Sequence, residues 1–288
     1  MITRDRAERA LATVGSLREL PERPRVVVVD DASSDATAHR VRQAYGDVDV
    51  VTLDENRGAA GRTVGVLQAR TPYIAFADDD SRWEPGALRR AADVLDRHPR
   101  VGALAARIIV DEHGAEDPIC ADMATSPLPR PADLPGPPVV GFLACAAVVR
   151  RGAYLQVGGF EPRLLIGGEE ELFATDLASA GWELVYVDTV TAHHDAAPRD
   201  SHARRRIGIR NTLWTTWLRR PWPAALRRTA LILGQLPRDR VSLAGLADAV
   251  RGLPWVLGAR RVVPAHVERR LRTMDDVQFR SGARRYVS

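Results

Sequence analysis

Apolar positions along the chain follow two periods. In roughly the first two-thirds, short runs rich in β-branched and small residues at 26–31, 48–53, 73–77, 101–110, 139–150 and 184–187 read as strands. Helical spacing falls between them, through Leu11, Val14, Leu17 and Leu20, on to Tyr45, across 86–98, and from Glu169 through Leu177 to Gly181. Strands and helices that alternate with short connections predict an α/β fold with a mostly parallel, doubly wound sheet. The stretch 118–138 is rich in Pro and has no period, which marks a functional or mobile loop. From residue 201 the pattern turns wholly helical, over 207–218, 224–236, 243–257 and 262–274, with prolines at the joints.

Two strands end in acids. The run Arg25-Val26-Val27-Val28-Val29 closes on Asp30 and Asp31, with Ser33 and Asp35 following as helix caps. Tyr73-Ile74-Ala75-Phe76-Ala77 closes on Asp78, Asp79 and Asp80. Adjacent carboxylates repel one another, and a hard divalent cation is a common compensation. On an extended chain Asp78 and Asp80 point one way and Asp79 the other, so the outer pair is the candidate for one Mg or Mn ion. In open α/β sheets ligands lie beyond the carboxyl ends of strands, which places both acid tips in one cleft. A solvated acidic turn is the plain alternative.

These segments resemble the nucleotide-sugar site of a family 2 glycosyltransferase with the GT-A fold, a Rossmann-like sheet flanked by helices. The resemblance covers about two-thirds of the chain. It implies that Asp30, Asp31, Ser33 and Asp35 grip base and ribose, with Asp79 beside them, and that Asp78 and Asp80 form the metal-binding D-x-D. Thr3 and Arg4 match the turn after the first strand, of which only Met1-Ile2 precedes. That brevity leaves two expectations: a start upstream, or a weakened base site. Asn56, Gly58 and Arg62 match the segment beside the donor diphosphate, with Thr63 where Asn is usual, although an ordinary helix-entry loop would look alike. Val157-Gly158-Gly159-Phe160 matches a Gly-Gly-Phe stretch on the acceptor side, where glycines would let the backbone approach the sugar, although a tight turn into the next helix would look alike.

The third acidic cluster, Glu169-Glu170-Glu171, opens a helix, where acids are favoured by the macrodipole alone. The resemblance aligns Glu169 and Glu170 with the family's Glu-Asp pair and makes Glu170, ahead of Glu169, the catalytic base. The family's second Asp is Leu172 here. His193 and His194 follow the last strand, where a His joins the metal or diphosphate; alternation sets them on opposite faces without choosing between them.

All 41 basic residues are Arg, so no single Arg carries weight alone. Their distribution does: from Ala203 onward 19 Arg face 5 acids, about +14, and the remaining 22 Arg face 32 acids, about −10. A basic tail that includes Trp214, Trp217, Trp222 and Trp255 is expected of helices at a membrane interface, and equally of a helical subdomain with buried tryptophans. No nucleic-acid-binding motif is present. Cys120 and Cys145 lack metal-ligand spacing, and no apolar run reaches the roughly 20 residues of a spanning helix. The chain therefore reads as a cytoplasmic protein, working at the inner face of the membrane, with residues 1–200 catalytic and 201–288 an Arg-rich helical extension. Its expected partners are a nucleotide-sugar donor and a saccharide, lipid-linked or other hydroxyl acceptor. A nucleotidyltransferase and a non-catalytic nucleotide-sugar-binding homologue are the alternatives.

Overall fold

The computed structural model describes residues 1–110, 114–195 and 201–280. Three parallel strands, β1 (Ile2–Thr3), β2 (Val27–Asp30) and β3 (Asp49–Thr52), lie in that order. A second sheet has the order β4-β7-β6-β8-β5, from β4 (Tyr73–Ala75), β5 (Ser81–Trp83), β6 (Val101–Ile109), β7 (Ala147–Arg150) and β8 (Glu183–His194). Only β6 and β8 run parallel there; β7 is antiparallel to β4 and β6, and β5 to β8. The expected mostly parallel sheet is thus parallel on the β1–β3 side and mixed on the other. A single bridge from Ile2 to Asp78 ties the halves together. Between the lower edges of β2 and β4 lies a mainly apolar cavity of about 380 Å³.

Position explains composition. β6 is central, and eight of its nine residues are buried, so it reads as a continuous apolar run rather than an alternating one. Around the sheets pack α1 (Ala7–Arg18), α2 (Thr37–Ala44), α3 (Gly61–Gln68), α4 (Ala87–Arg97), α5 (Pro118–Ala124), α6 (Arg151–Gln156) and α7 (Glu169–Ser179).

Three expectations are corrected. The Pro-rich stretch contains α5, which Asp117 caps by accepting from the Ile119 N–H at 2.9 Å. Its remainder is pinned to β8 through Tyr186 N–H to Pro137 O and Val139 N–H to Leu184 O, both 2.9 Å. The long strand expected over 139–150 is only β7, because the preceding residues leave the ladder and turn through a 3₁₀ segment, Ala144–Ala146. Conversely, β8 continues well past residue 187 and carries both histidines within it.

The C-terminal part is α8 (Ser201–Arg219), α9 (Trp222–Gln235), α10 (Arg240–Arg251), α11 (Leu253–Ala259) and α12 (Ala265–Arg280), with the helix expected over 243–257 broken at Gly252. Ile209, Leu213, Leu218, Ile232 and Val256 form a second core, which also takes in Leu164 and Leu172 from the first part of the chain. Arg220, 1% exposed, is neutralised by Glu268 at 2.8 Å and Asp275 at 2.6 Å, as a buried charge requires.

Candidate active site

The site forms where the ends of β1, β2, β4 and β8 meet the start of α7. At the β2 end, Asp31 accepts the backbone N–H groups of Arg57 (2.7 Å) and Gly58 (2.9 Å). Burial raises its pKa, and those two donors oppose the rise. Asp30 accepts from the Ser33 hydroxyl and, at 3.2 Å, from its N–H. Asp35 accepts from Thr37 at the head of α2. The Arg4 guanidinium reaches the Asp31 carbonyl at 3.3 Å, and Asn56 accepts the Gly58 N–H at 2.9 Å. Gly58 has φ +54°, and a Cβ there would lie 2.2 Å from the Leu165 carbonyl oxygen. Glycine at that position joins two loops of the protein to one another.

At the β4 end the three aspartates do not form an extended strand. Ser81 N–H returns to Asp78 O at 3.2 Å, closing a turn. Alternation therefore fails, and the carboxylates meet three guanidiniums, with Arg6 shared between Asp79 and Asp80. Asp78 pairs with Arg62. Asp79 accepts from Arg6 and from the Thr3 hydroxyl, both at 2.8 Å. Asp80 faces Arg6 at 3.4 Å and Arg9 at 3.6 Å.

Beyond that turn, β5 pairs with the end of β8, setting Ser81 against His194 and Arg82 against His193. His194 Nε2 lies 3.6 Å from Asp80 Oδ1, whereas His193 turns to Glu84 at 3.4 Å. Among the described residues no three His, Cys, Asp or Glu side chains converge as a ready-made metal cage. The Asp80 and His194 pair nevertheless fits an ion that takes most of its shell from phosphate and water, as Mg²⁺ commonly does. Asp78 and His193, engaged elsewhere, do not join them here.

The glutamates at the start of α7 diverge. Glu171 pairs with Arg228 at 2.6 Å. Glu170 accepts the Ala144 N–H at 3.0 Å and borders a cavity of about 290 Å³ that Phe142, Met123, Leu271 and Met274 also line. Glu169 is buried beside it, with one carboxylate oxygen that has no hydrogen-bond partner. Burial raises both pKa values, and the charge of Glu170 adds to the rise at Glu169. Arg62 faces Asp78 and this pair together: burial opposes its charge, but the three carboxylates hold it protonated and it lowers both glutamates in return.

Behind the site, the rings of Phe76, Tyr154, Phe160 and Phe173 pack with centroids 5.0–5.8 Å apart. Phe76 precedes the acid turn by two residues and Phe173 follows Glu170 by three, so the cluster fixes β4 relative to α7. Thr63 hydrogen-bonds Tyr154 at 2.9 Å, and a Cβ on Gly159 would strike both residues. Close packing within the protein thus accounts for Gly159, which was expected to approach the sugar. Arg6 and Arg9 are site residues that sequence reasoning missed. Arg6 belongs to the same Thr-Arg-Asp-Arg run as Thr3 and Arg4, which was the available signal.

The profile described as Glycosyl transferase family 2 matches residues 1–158, more than half of the chain. The chain belongs to this family. As a glycosyltransferase it is 30% identical over 227 residues to the N-acetylglucosaminyl-diphospho-decaprenol L-rhamnosyltransferase of Mycobacterium tuberculosis, covering 66% of this chain and 72% of that one. Over 89 residues it is 43% identical to the succinoglycan biosynthesis protein ExoO of Rhizobium meliloti, covering 30% and 24% of the two chains. The glycosyltransferase also shares its fold with the mannosyltransferase PcManGT of Pyrobaculum calidifontis, solved with GDP-Man and Mn²⁺ (TM-score 0.59, 19% identity, 97% and 80% of the two chains). A second neighbour is TarS 1–349 of S. aureus with UDP-GlcNAc (TM-score 0.60, 16% identity, 98% and 86%). These neighbours establish the GT-A architecture. In that frame Leu172, where the family carries an acid, is 4% exposed and belongs to the core shared with α8.

Proposed function

We propose that the enzyme transfers a sugar from a nucleoside-diphosphate sugar to an acceptor hydroxyl by a single inverting displacement. The observation that carries this reading is the Glu169–Glu170 pair beside Arg62, with Glu170 bordering a cavity large enough for part of an acceptor. Thr3, Arg4, Asp30 and Asp31 form the base and ribose side, with Asp79 held beside them by Thr3 and Arg6, and Asn56, Gly58 and Arg62 stand towards the diphosphate.

Glu170 takes the proton from the attacking hydroxyl, whose oxygen forms the new bond to the anomeric carbon. The bond to the diphosphate breaks on the opposite face, and its electron pair leaves with the nucleoside diphosphate. Burial raises the Glu170 pKa, which makes it a stronger base for this proton than an exposed carboxylate would be. The Ala144 N–H orients Glu170, and Arg62 opposes the negative charge of the leaving group. A divalent Mn or Mg ion, held by Asp80 and His194, would supply Lewis-acid stabilisation of the diphosphate.

The M. tuberculosis relative is named for a diphospho-decaprenol substrate, and others for succinoglycan and teichuronic acid biosynthesis, which favours a lipid-linked saccharide acceptor at the membrane. No helix among the described residues is long and apolar enough to cross a membrane.

Calorimetric titration of UDP, GDP and dTDP, with and without Mn²⁺, tests the donor side. One nucleotide should bind with metal enhancement, and Asp80→Ala should remove the enhancement. Metal-independent binding, equal in wild type and Asp80→Ala, would overturn the assignment of the ion.

A further inference from the structure

Two of the outward faces among the C-terminal helices are apolar, one on α9 and one along α10 and α11. Every exposed position of α9 is apolar: Trp222, Pro223, Leu226, Ala230, Leu233 and Gly234. The spacing 222, 226, 230, 233 is one stripe along the helix, and Leu226 is 66% exposed. A second stripe follows α10 into α11 through Leu243, Ala247, Val250, Pro254 and Leu257, with Leu243 also 66% exposed. Just beyond α11, the Arg260 guanidinium stacks 4.0 Å over the Trp222 ring at the head of α9. A solvated helix face carries charge; the α9 stripe carries none, and the second is edged by the exposed Arg251, which pairs with Asp248 at 2.7 Å.

Charge at the ends of the stripes is of one sign. Each of the five acids beyond Ala203 is engaged within the protein: Asp239 by Arg205, Asp248 by Arg206, Glu268 and Asp275 by Arg220, and Asp276 by Arg227. Arg238 and Arg240, at the joint of α9 and α10, and Arg261, beyond α11, are exposed and have no carboxylate partner among the described residues. The apolar stripes are therefore bracketed by cations whose counter-charge the protein does not provide.

We propose that the α9 and α10–α11 stripes dock on an anionic phospholipid bilayer, with the apolar side chains entering the interface and Arg238, Arg240 and Arg261 meeting lipid phosphates. Apolar faces bordered by Arg and containing Trp are the composition of helices that lie in the plane of a bilayer. A second copy of the chain is the poorer partner. A two-fold contact would set the same Arg rim against itself with no acid to complement it.

The proposal agrees with a membrane-borne acceptor but is read without donor, acceptor or metal, so its failure leaves the transfer reading intact and the converse also holds. The full-length protein is sedimented with phosphatidylcholine vesicles and with vesicles containing phosphatidylglycerol, at low and high salt. Binding should require phosphatidylglycerol and weaken with salt. It should fall about tenfold or more in Leu226→Glu/Leu233→Glu and in Leu243→Glu/Val250→Glu, both at outward positions. Leu67→Glu, an exposed leucine on α3 far along the chain from these helices, should bind as wild type. No binding to phosphatidylglycerol vesicles at low salt, or binding unchanged in both double variants, would overturn the proposal. So would a dimer in solution that the same substitutions dissolve in a protein indifferent to vesicles.

Discussion

The acid-tipped ends of β2 and β4 are bridged by one residue, since Thr3 pairs with Asp30 in the sheet and donates to Asp79. Their carboxylates are nevertheless held differently. At β2 the partners are backbone N–H groups and hydroxyls from the protein's own loops, so Asp30 and Asp31 shape the 33–35 and 56–58 segments. At β4 the partners are Arg62, Arg6 and Arg9. Neutral donors fix a loop whether or not a ligand is bound. Guanidiniums paired with carboxylates are a charge balance that an anionic donor and a cation can redistribute. In the proposed mechanism the β2 end accordingly supplies shape, and the β4 end chemistry.

The comparison breaks most visibly at the chemical end. Glu170→Gln keeps the size and the Ala144 contact but removes the base, and kcat should fall roughly 10³-fold with thermal stability unchanged, measured by steady-state transfer assays beside a melting curve. Unaltered kcat would move the base to Glu169.

A smaller effect sharpens the role of Arg62. Arg62→Ala should lower kcat about 10²-fold and also displace the pH profile. The active base of the proposed mechanism is deprotonated, so activity rises with pH through an apparent pKa that burial raises. Arg62 lowers both glutamates, so its removal should move that acid limb of kcat to higher pH. A fall in kcat with the limb unmoved would confine Arg62 to donor binding.

The mildest catalytic change belongs to the shape end. Asp31→Ala removes two backbone hydrogen bonds, and denaturant unfolding should show a loss of about 2–3 kcal/mol. Its effect on transfer should appear mainly in the KM for donor. A large fall in kcat with stability preserved would contradict the division drawn between the two ends.

Much of this was legible in the chain. Strands announced themselves by β-branched runs, the two acid tips by an abrupt change of polarity, and the α7 acids by their place before a helical period. Residue types in their order and spacing carried the resemblance to the family's motifs, because each motif is local. What was not legible depended on segments far apart in sequence. That Asp78–Asp80 turn rather than extend follows from β5 pairing with β8, 113 residues away at the Ser81 and His194 pair. That same pairing selects His194 over His193 for Asp80. Gly58 and Gly159 looked like ligand-facing glycines because a missing Cβ reads the same whichever neighbour needs the space, and only packing identified Leu165 and Tyr154 as those neighbours. Composition could count Arg residues but not pair them. The chain by itself determined the fold class, the order of the acidic ends and a basic, Trp-bearing tail, all of which are properties of short segments. Tertiary structure alone decided which guanidinium meets which carboxylate, and which faces of α9 and α10 remain uncovered, because both depend on what long-range packing brings within a few ångströms.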